Sequence, residues 1–378
     1  MAGVYIHIPF CKQACHYCNF HFTTSLRLKE DMISAICKEA VLQKDYLENE
    51  TVETIYFGGG TPSLLNIDDL IFMLANLKSQ FPVAADAEIT LEANPDDITE
   101  EKLKEWKAAG INRLSIGIQS FFDEDLQWMN RAHNASQAAS TLEIAAKQFD
   151  NITADLIYGT PGLTDERWKQ NMDILTGYGI PHLSCYALTV EAKTPLDKMI
   201  RLHKKEPVDP DKQSAQFLLL MEWMEQKGYD HYEISNFAKP GWHSRHNSSY
   251  WSAGAGGMVK KYLGLGPSAH SYNGTARQWN ISNNAAYIDS LRKEIVPFEK
   301  EELTATQKLN EYIMTSLRTS GGIHLQHIST IYNTDSQLVL KKAEKFINNG
   351  LLKTENNSLL LTREGKLLAD GIASDLFF

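Results

Sequence analysis

The short apolar run Val4-Tyr-Ile-His-Ile8 meets Pro9 and passes into Cys11-Lys-Gln-Ala-Cys15-His-Tyr-Cys18. Three cysteines within eight residues, on a loop that follows a strand, constrain this chain more than any other feature. Thiolates so spaced reach three corners of a cubane [4Fe–4S] cluster and leave its fourth iron without a protein ligand. That iron is open to a second molecule. Zinc would also accept these sulfurs together with His7, His16 or His21, and a buried structural trio is the remaining alternative. The usual four-cysteine ferredoxin spacings do not fit, which argues against electron transfer as the sole role.

The two other cysteines, Cys37 in a helical run and Cys185 in a strand-like one, read as core residues, so no disulfide framework is expected. This is the cysteine usage of a reducing compartment, and a cytoplasmic location is expected. No basic segment leading into an apolar one precedes the cysteines, so no cleavable leader is expected. Apolar segments such as Phe217–Met221 and Leu70–Leu74 fall far short of the roughly 20 residues that span a bilayer. Peripheral contact with a membrane stays open. With 37 basic against 47 acidic residues, a net charge of −10 disfavours nucleic acid as a partner.

Along the first half, β-like runs at Val4–Ile8, Thr54–Phe57, Glu88–Glu92, Arg113–Ile118, Asn151–Ile157 and His182–Ala187 alternate with amphipathic stretches. The stretches Leu26–Leu47, Asp68–Gln80, Glu100–Ala109, Ser136–Gln148 and Asp165–Tyr178 predict helices, with Thr99 and Thr164 as N-caps. Strict alternation predicts parallel βα units, an α/β fold. Residues 1–190 form that core; 191–300 read as an irregular extension with one clear helix near Asp211–Lys227. Residues 301–378 predict helices, a hairpin around Asn356-Asn357 and a last helix, a winged-helix-like domain. From Leu303 onwards its 8 basic and 7 acidic residues lack the electrostatic footprint of DNA binding, which favours a lid or a docking module.

In a parallel barrel, ligands collect where the C-terminal ends of the strands converge. The turn Gly58-Gly59-Gly60-Thr61-Pro-Ser63 follows the second strand, and its glycines allow close approach of the backbone to a ligand. Glu92, Gln119, Arg131 and Asp155 stand at or just beyond successive strand ends, where a polar ligand could collect hydrogen bonds from each.

The cysteine spacing with Tyr17 before the last cysteine resembles the signature of the radical S-adenosylmethionine (SAM) superfamily. The resemblance implies a partial (β/α)6 barrel, a [4Fe–4S] cluster on Cys11, Cys15 and Cys18, and SAM on the open iron. By similarity to the branch containing oxygen-independent coproporphyrinogen III oxidase, the Gly58–Gly60 turn with Thr61 would take the SAM amino group. Arg131 would take its carboxylate, Gln119 and Asp155 its ribose, Glu92 another polar group, and Tyr5 would also touch it. No residue is implied as catalytic in its own right. Two features depart from that oxidase: Phe20 stands where a fourth cysteine is expected, and only ten residues precede Cys11.

His246-Asn247-Ser-Ser-Tyr250-Trp251 is similar to the His-Asn-x-x-Tyr-Trp motif of the HemW family, radical-SAM-like haem chaperones. The resemblance covers essentially the full chain. It implies haem as a third cofactor with His246 as iron ligand, and His243 and His270 as weaker candidates. Haem-accepting apo-proteins, including any at a membrane surface, and an electron donor are the implied partners. Monomer and homodimer, SAM cleavage and its absence, stay open. The rival readings are a coproporphyrinogen III decarboxylase and a zinc-stabilised binding module.

Overall fold

The computed structural model describes residues 2–251 and 260–378, so part of the extension, 252–259, lies outside the described residues. The first half is built from β1 (Ala2–Ile8), α1 (Lys29–Leu42), β2 (Val52–Gly59), α2 (Ile67–Gln80), β3 (Val83–Ala93), α3 (Glu100–Ala109), β4 (Arg113–Gln119), α4 (Asp123–Met129), α5 (Ala135–Ala146), β5 (Ile152–Tyr158), α6 (Asp165–Gly177) and β6 (His182–Ala187). The six strands pair in parallel and in chain order. They are buried along nearly their whole length, as strands must be when helices cover one face and a packed lumen the other. Trp106 of α3 and Trp168 of α6 lie fully within the shared core. Thr99 and Thr164 cap those helices by accepting from the N–H groups of Lys102 and Arg167.

Sequence reading missed α4, a helix of seven residues whose first turn is all acidic and whose apolar face is only Leu126 and Met129. The stretch expected to be irregular carries α7 (Pro195–Arg201), α8 (Pro210–Gln226), β7 (Asp230–Glu233), β8 (Asn236–Ala238), α9 (Arg245–Trp251), β9 (Lys261–Leu265), β10 (His270–Tyr272), β11 (Ala276–Asn280), α10 (Asn284–Arg292) and β12 (Phe298–Glu302). Its strands hold three to five residues, too short to display an alternation. They extend the main sheet on both sides: β9 runs parallel beside β1, followed by β10, β11 and β12, while β8 and β7 continue beyond β6 antiparallel. The barrel is therefore partial, its outer strands paired with extension strands and not with each other.

The last segment forms its own core. α11 (Ala305–Leu317), β13 (Ile323–His324), α12 (Leu325–Thr330), α13 (Ser336–Asn348), the hairpin β14 (Leu352–Glu355) and β15 (Ser358–Leu361), and α14 (Ala369–Leu376) enclose Ile313, Ile328, Val339, Leu359 and Ile372. Helices followed by a hairpin give the expected winged-helix outline. Among the described residues no helix is long and apolar enough to cross a membrane.

One buried carboxylate ties α1 to the β9–β11 edge. Glu39 accepts from Gly266 N–H at 2.9 Å, Asn280 Nδ2 at 2.7 Å, Gln43 Nε2 at 2.8 Å and the Tyr287 hydroxyl. Removing the acceptor leaves several buried donors unpaired, each costing about 1–3 kcal/mol. Glu39→Ala is therefore expected to destabilise the protein by about 2–4 kcal/mol, read as a lowered denaturant midpoint. A midpoint equal to wild type would show that this network contributes nothing.

Candidate functional site

At the C-terminal ends of the six strands lies a cavity of about 500 Å³. Its wall holds Cys11, Cys15 and Cys18, Gly59, Gly60 and Thr61, and Glu92, Gln119, Arg131 and Asp155. Ten residues singled out in the sequence thus meet in one place. Three do not line it: Gly58, Tyr5 and His246.

Backbone contact fixes the cysteine loop against the glycine turn. Gly60 N–H donates to Ile8 O at 2.9 Å and Thr61 N–H to Phe10 O at 2.6 Å. A Cβ on Gly60 would lie 2.6 Å from both of those carbonyl oxygens, and one on Gly59, at φ +102°, would strike the His7 ring at 2.4 Å. Glycine is required here by the chain's own packing, before any ligand is considered.

The other side of the loop is held by the helix that sequence reading missed. α4 ends on Asn130 in the left-handed conformation (φ 59°, ψ 50°), and Asn130 Nδ2 donates to Ala14 O at 2.8 Å. Gln13 Nε2 returns a bond to Asn130 O at 3.0 Å, and His16 N–H reaches Met129 O at 3.1 Å. The next residue, Arg131, sends Nη1 to Cys15 Sγ at 3.5 Å and Nη2 to Asn94 Oδ1 at 2.7 Å and Gly117 O at 2.9 Å. Its buried Nε has no hydrogen-bond partner. Gln119, at φ +65°, follows a bulge where the β4–β5 register slips by one residue.

Burial governs the electrostatics. It pushes the Cys11 thiol up to about 11 and raises Cys18 as well, so both favour the neutral thiol until a cationic group arrives. Glu92 is pushed up to about 7 by burial, although Tyr56 Oη donates to it at 2.8 Å and Gly59 N–H at 3.1 Å. Asp155 is pushed up to about 6, again by burial, with Ser115 Oγ at 3.4 Å. Two buried carboxyl groups with neutral donors favour a ligand that carries positive charge.

Among the described residues no three His, Cys, Asp or Glu side chains converge as they would around one metal ion. The histidines weighed as zinc ligands have other partners: His7 Nε2 with His21 O at 2.8 Å, His21 Nε2 with Asn284 Oδ1 at 2.7 Å, and His16 Nδ1 with Trp128 O at 3.1 Å. Three thiols spread over the wall of a large cavity, with an unpaired guanidinium nitrogen among them, fit a cluster with an anionic ligand group.

Tyr5 lies one layer beneath the cavity, stacked on Tyr56 at 6.2 Å, with its hydroxyl 3.1 Å from His7 Nδ1. Gly58 sits in the same layer, where a Cβ would meet Tyr56, Glu92 and Tyr5 within about 3 Å. His246 is deeper still, at the opposite ends of the strands. It is 1 % exposed, stacks on Tyr56 at 4.8 Å, and uses both ring nitrogens, on Thr54 Oγ1 at 2.8 Å and Tyr250 Oη at 2.9 Å. Both ring nitrogens of His246, the residue expected to ligate haem iron, are thus hydrogen-bonded to hydroxyl groups. The cavity beside the motif, lined by Thr54, His243, Arg245 and Ser249 among others, holds only about 160 Å³. His243 stacks on Tyr232 at 4.2 Å and His270 lies beside Trp279 at 6.2 Å, neither on the large cavity. Sequence reading missed Asn94, Ser115, Tyr186 and Leu188 on the cavity wall; all but Asn94 lie within predicted strands or directly after one, but burial alone distinguishes them.

Fold and site together are those of a radical SAM protein: the family described as "Radical SAM superfamily" matches residues 5–175, and "HemN C-terminal domain" matches residues 303–368. The solved structure of coproporphyrinogen III oxidase (HemN) from Escherichia coli superposes with a TM-score of 0.86 over 100 % of this chain and 90 % of that one, at 22 % identity. "Heme chaperone HemW" of Mycobacterium tuberculosis (strain ATCC 25618 / H37Rv) is 34 % identical, covering 99 % of this chain and 94 % of the relative. "Heme chaperone HemW" of Bacillus subtilis (strain 168) is 33 % identical with 98 % of each covered. A mouse relative, "Radical S-adenosyl methionine domain-containing protein 1, mitochondrial", is 32 % identical over 98 % of this chain. The chain belongs to the HemW family.

The raised carboxyls carry a pH dependence. Glu92 and Asp155 have folded values near 7 and 6, above their ordinary 4.5 and 3.8. The folded state therefore holds the proton more tightly, and this contribution is full below the unfolded values and lost as pH rises through the folded ones. For the ligand-free protein, the difference in melting temperature between wild type and Glu92→Gln is expected to move in favour of the variant as pH rises from about 5 to about 7.5. A pH-independent difference would show that Glu92 titrates normally.

Proposed function

We propose that this protein is a haem chaperone that carries a [4Fe–4S] cluster on Cys11, Cys15 and Cys18, binds SAM against that cluster, and passes haem to haem-dependent proteins in the reducing cytoplasm. The observation that carries the reading is end-to-end similarity to HemW chaperones, joined to a cavity in which the three cysteines and the polar strand-end residues meet. When bound, cluster and SAM supply one-electron chemistry at the sulfonium. The protein's own part is positional. Asn130 and the glycine turn hold the cysteine loop from two sides. Arg131, cationic and buried, is the residue for the SAM carboxylate, and its unpaired Nε supports that role. Glu92 and Asp155 suit the amino group and ribose, and Gln119 sits beside them on the bulge.

Each of Cys11→Ala, Cys15→Ala and Cys18→Ala is expected to abolish retention of iron and sulfide after anaerobic reconstitution. Full retention in all three would sink the cluster assignment. Arg131→Ala is expected to weaken SAM by about one to two decades, the loss of a charge-assisted bond of roughly 1.5–3 kcal/mol. Equilibrium binding to the cluster-loaded variant measures it, and unchanged affinity would place the carboxylate elsewhere.

The function itself is tested by giving the anaerobic, cluster-loaded protein haem and an apo-haem protein and, separately, coproporphyrinogen III with SAM and a reductant. Stoichiometric haem binding and transfer, with no protoporphyrinogen formed, is the expected result. Protoporphyrinogen formation would make the protein an oxidative decarboxylase.

A further inference from the structure

Lys12 follows Cys11 directly, yet its side chain does not line the cavity. Its ammonium bonds two carboxylates of the short 3-10 turn Pro95–Asp97 that follows β3, Asp96 Oδ2 at 2.9 Å and Asp97 Oδ1. The Lys12 side chain is 44 % exposed, but that of Asp97 only 2 % and that of Asp96 12 %. Such a pair differs from a surface salt bridge, because removing the cation leaves a desolvated carboxylate uncompensated beside a second one. The other oxygen of Asp97 accepts from Ser63 Oγ at 2.8 Å. From there a chain of bonds runs inward. Ser63 Oγ accepts from the Asn94 amide at 3.3 Å, Asn94 Nδ2 donates to Thr61 Oγ1 at 3.2 Å, and Asn94 Oδ1 accepts from Arg131 Nη2 at 2.7 Å. Arg131 in turn donates to Cys15 Sγ at 3.5 Å. The circuit leaves the cysteine loop at Lys12 and returns to it three residues later, through the residue proposed for the SAM carboxylate.

We propose that Lys12 and Asp97 are positioning residues: their ion pair fixes the Cys11–Cys15 segment relative to Arg131, so that the cluster and the carboxylate site of SAM keep one separation. The inference deepens the cluster-and-SAM reading and rests on it. The glycine turn holds the loop as far as Phe10, and Asn130 holds it at Gln13 and Ala14; Lys12 supplies the anchor between them. Asn94 is the relay. Asp97 N–H donates to Asn94 O at 3.0 Å, so Asn94 moves with the 3-10 turn, and its side-chain amide carries Arg131 and Thr61 along. Without the Lys12 cation, Asp96 and Asp97 repel each other and the Ser63 hydroxyl loses a fixed acceptor, which loosens the turn from which Asn94 is held. Residues in one hydrogen-bonded network couple energetically even where one of them never touches the ligand.

The test is SAM titration of the cluster-loaded full chain, followed by the change SAM makes in the electron paramagnetic resonance spectrum of the reduced cluster. The forms compared are wild type, Lys12→Met, Asp97→Asn, the double variant and Lys12→Arg. Lys12→Met is expected to lose about tenfold in SAM affinity, and the double variant to lose no more than Lys12→Met alone, since the two residues act as a pair. Lys12→Arg, whose planar fork can bond both carboxylates, is expected to bind SAM as wild type does. Hydrogen exchange of the ligand-free chain gives a readout that needs no cluster: the amides of Lys12–Ala14 are expected to exchange faster in Lys12→Met and at the wild-type rate in Lys12→Arg. Equal exchange rates in all forms would overturn the inference whether or not a variant loads a cluster. A pair that serves stability alone would lower the melting temperature and leave SAM affinity unchanged; that result, with full iron content, would overturn the inference and leave the cluster-and-SAM reading standing. A wild-type protein that loads the cluster but binds no SAM would overturn both.

Discussion

Everything at the strand ends depends on one backbone contact, the seating of the Ile8–Phe10 carbonyls on the amides of Gly60 and Thr61. It forms because a glycine stands where any Cβ would strike those carbonyls. The contact sets the direction in which the chain leaves β1, and hence where Cys11, Cys15 and Cys18 stand. α4 then clamps the far side of the loop through the left-handed Asn130. A loop held by backbone bonds on one side and a side-chain amide on the other has little freedom, which is what a multi-point ligand set needs.

Beneath that loop the lumen is layered. Tyr5 and Tyr56 form an aromatic layer, Glu92 stands above it on the Tyr56 hydroxyl, and His246 stacks on Tyr56 from the side of the strand starts. The layer keeps water from reaching the carboxyls from below, which is why burial outweighs their hydrogen bonds and raises both. Ligand selectivity follows from the same geometry: a cationic group entering from above meets two carboxyls that gain most from ionising in its presence.

The six core strands and their longer helices were legible in the sequence because strands of six to eleven residues carry several apolar positions and helices of ten or more show a period. The long C-terminal helices α11 and α13 were legible for the same reason, and the four-residue hairpin strands through the turn between them, Asn356-Asn357, both at positive φ. α4 and the extension strands were not, since seven-residue helices and strands of three to five residues carry too little pattern. Site residues at strand ends were found by position alone, which succeeds wherever parallel strands converge. For the histidine motif, sequence shows a ligand-competent imidazole but not that Thr54, from a distant strand, and Tyr250 hydrogen-bond both of its nitrogens.

The motif joins two parts of the molecule. The Glu88 carboxylate accepts from the amides of Arg245 and His246 and so closes the strand starts with α9. At the other end of α9, Trp251 lies under the Arg318 guanidinium, 4.9 Å from ring to Cζ. Arg318 also reaches the buried Glu233 of β7 at 3.1 Å and Asp370 of α14 at 2.8 Å. One arginine thus links the barrel edge, the motif helix and the C-terminal domain, and its contact with a carboxylate that is 2 % exposed is shielded from salt in a way a surface pair is not. The winged helix is thus anchored to β7 through a buried ion pair and to the helix that closes the barrel through the Trp251 ring, and one side chain makes both contacts.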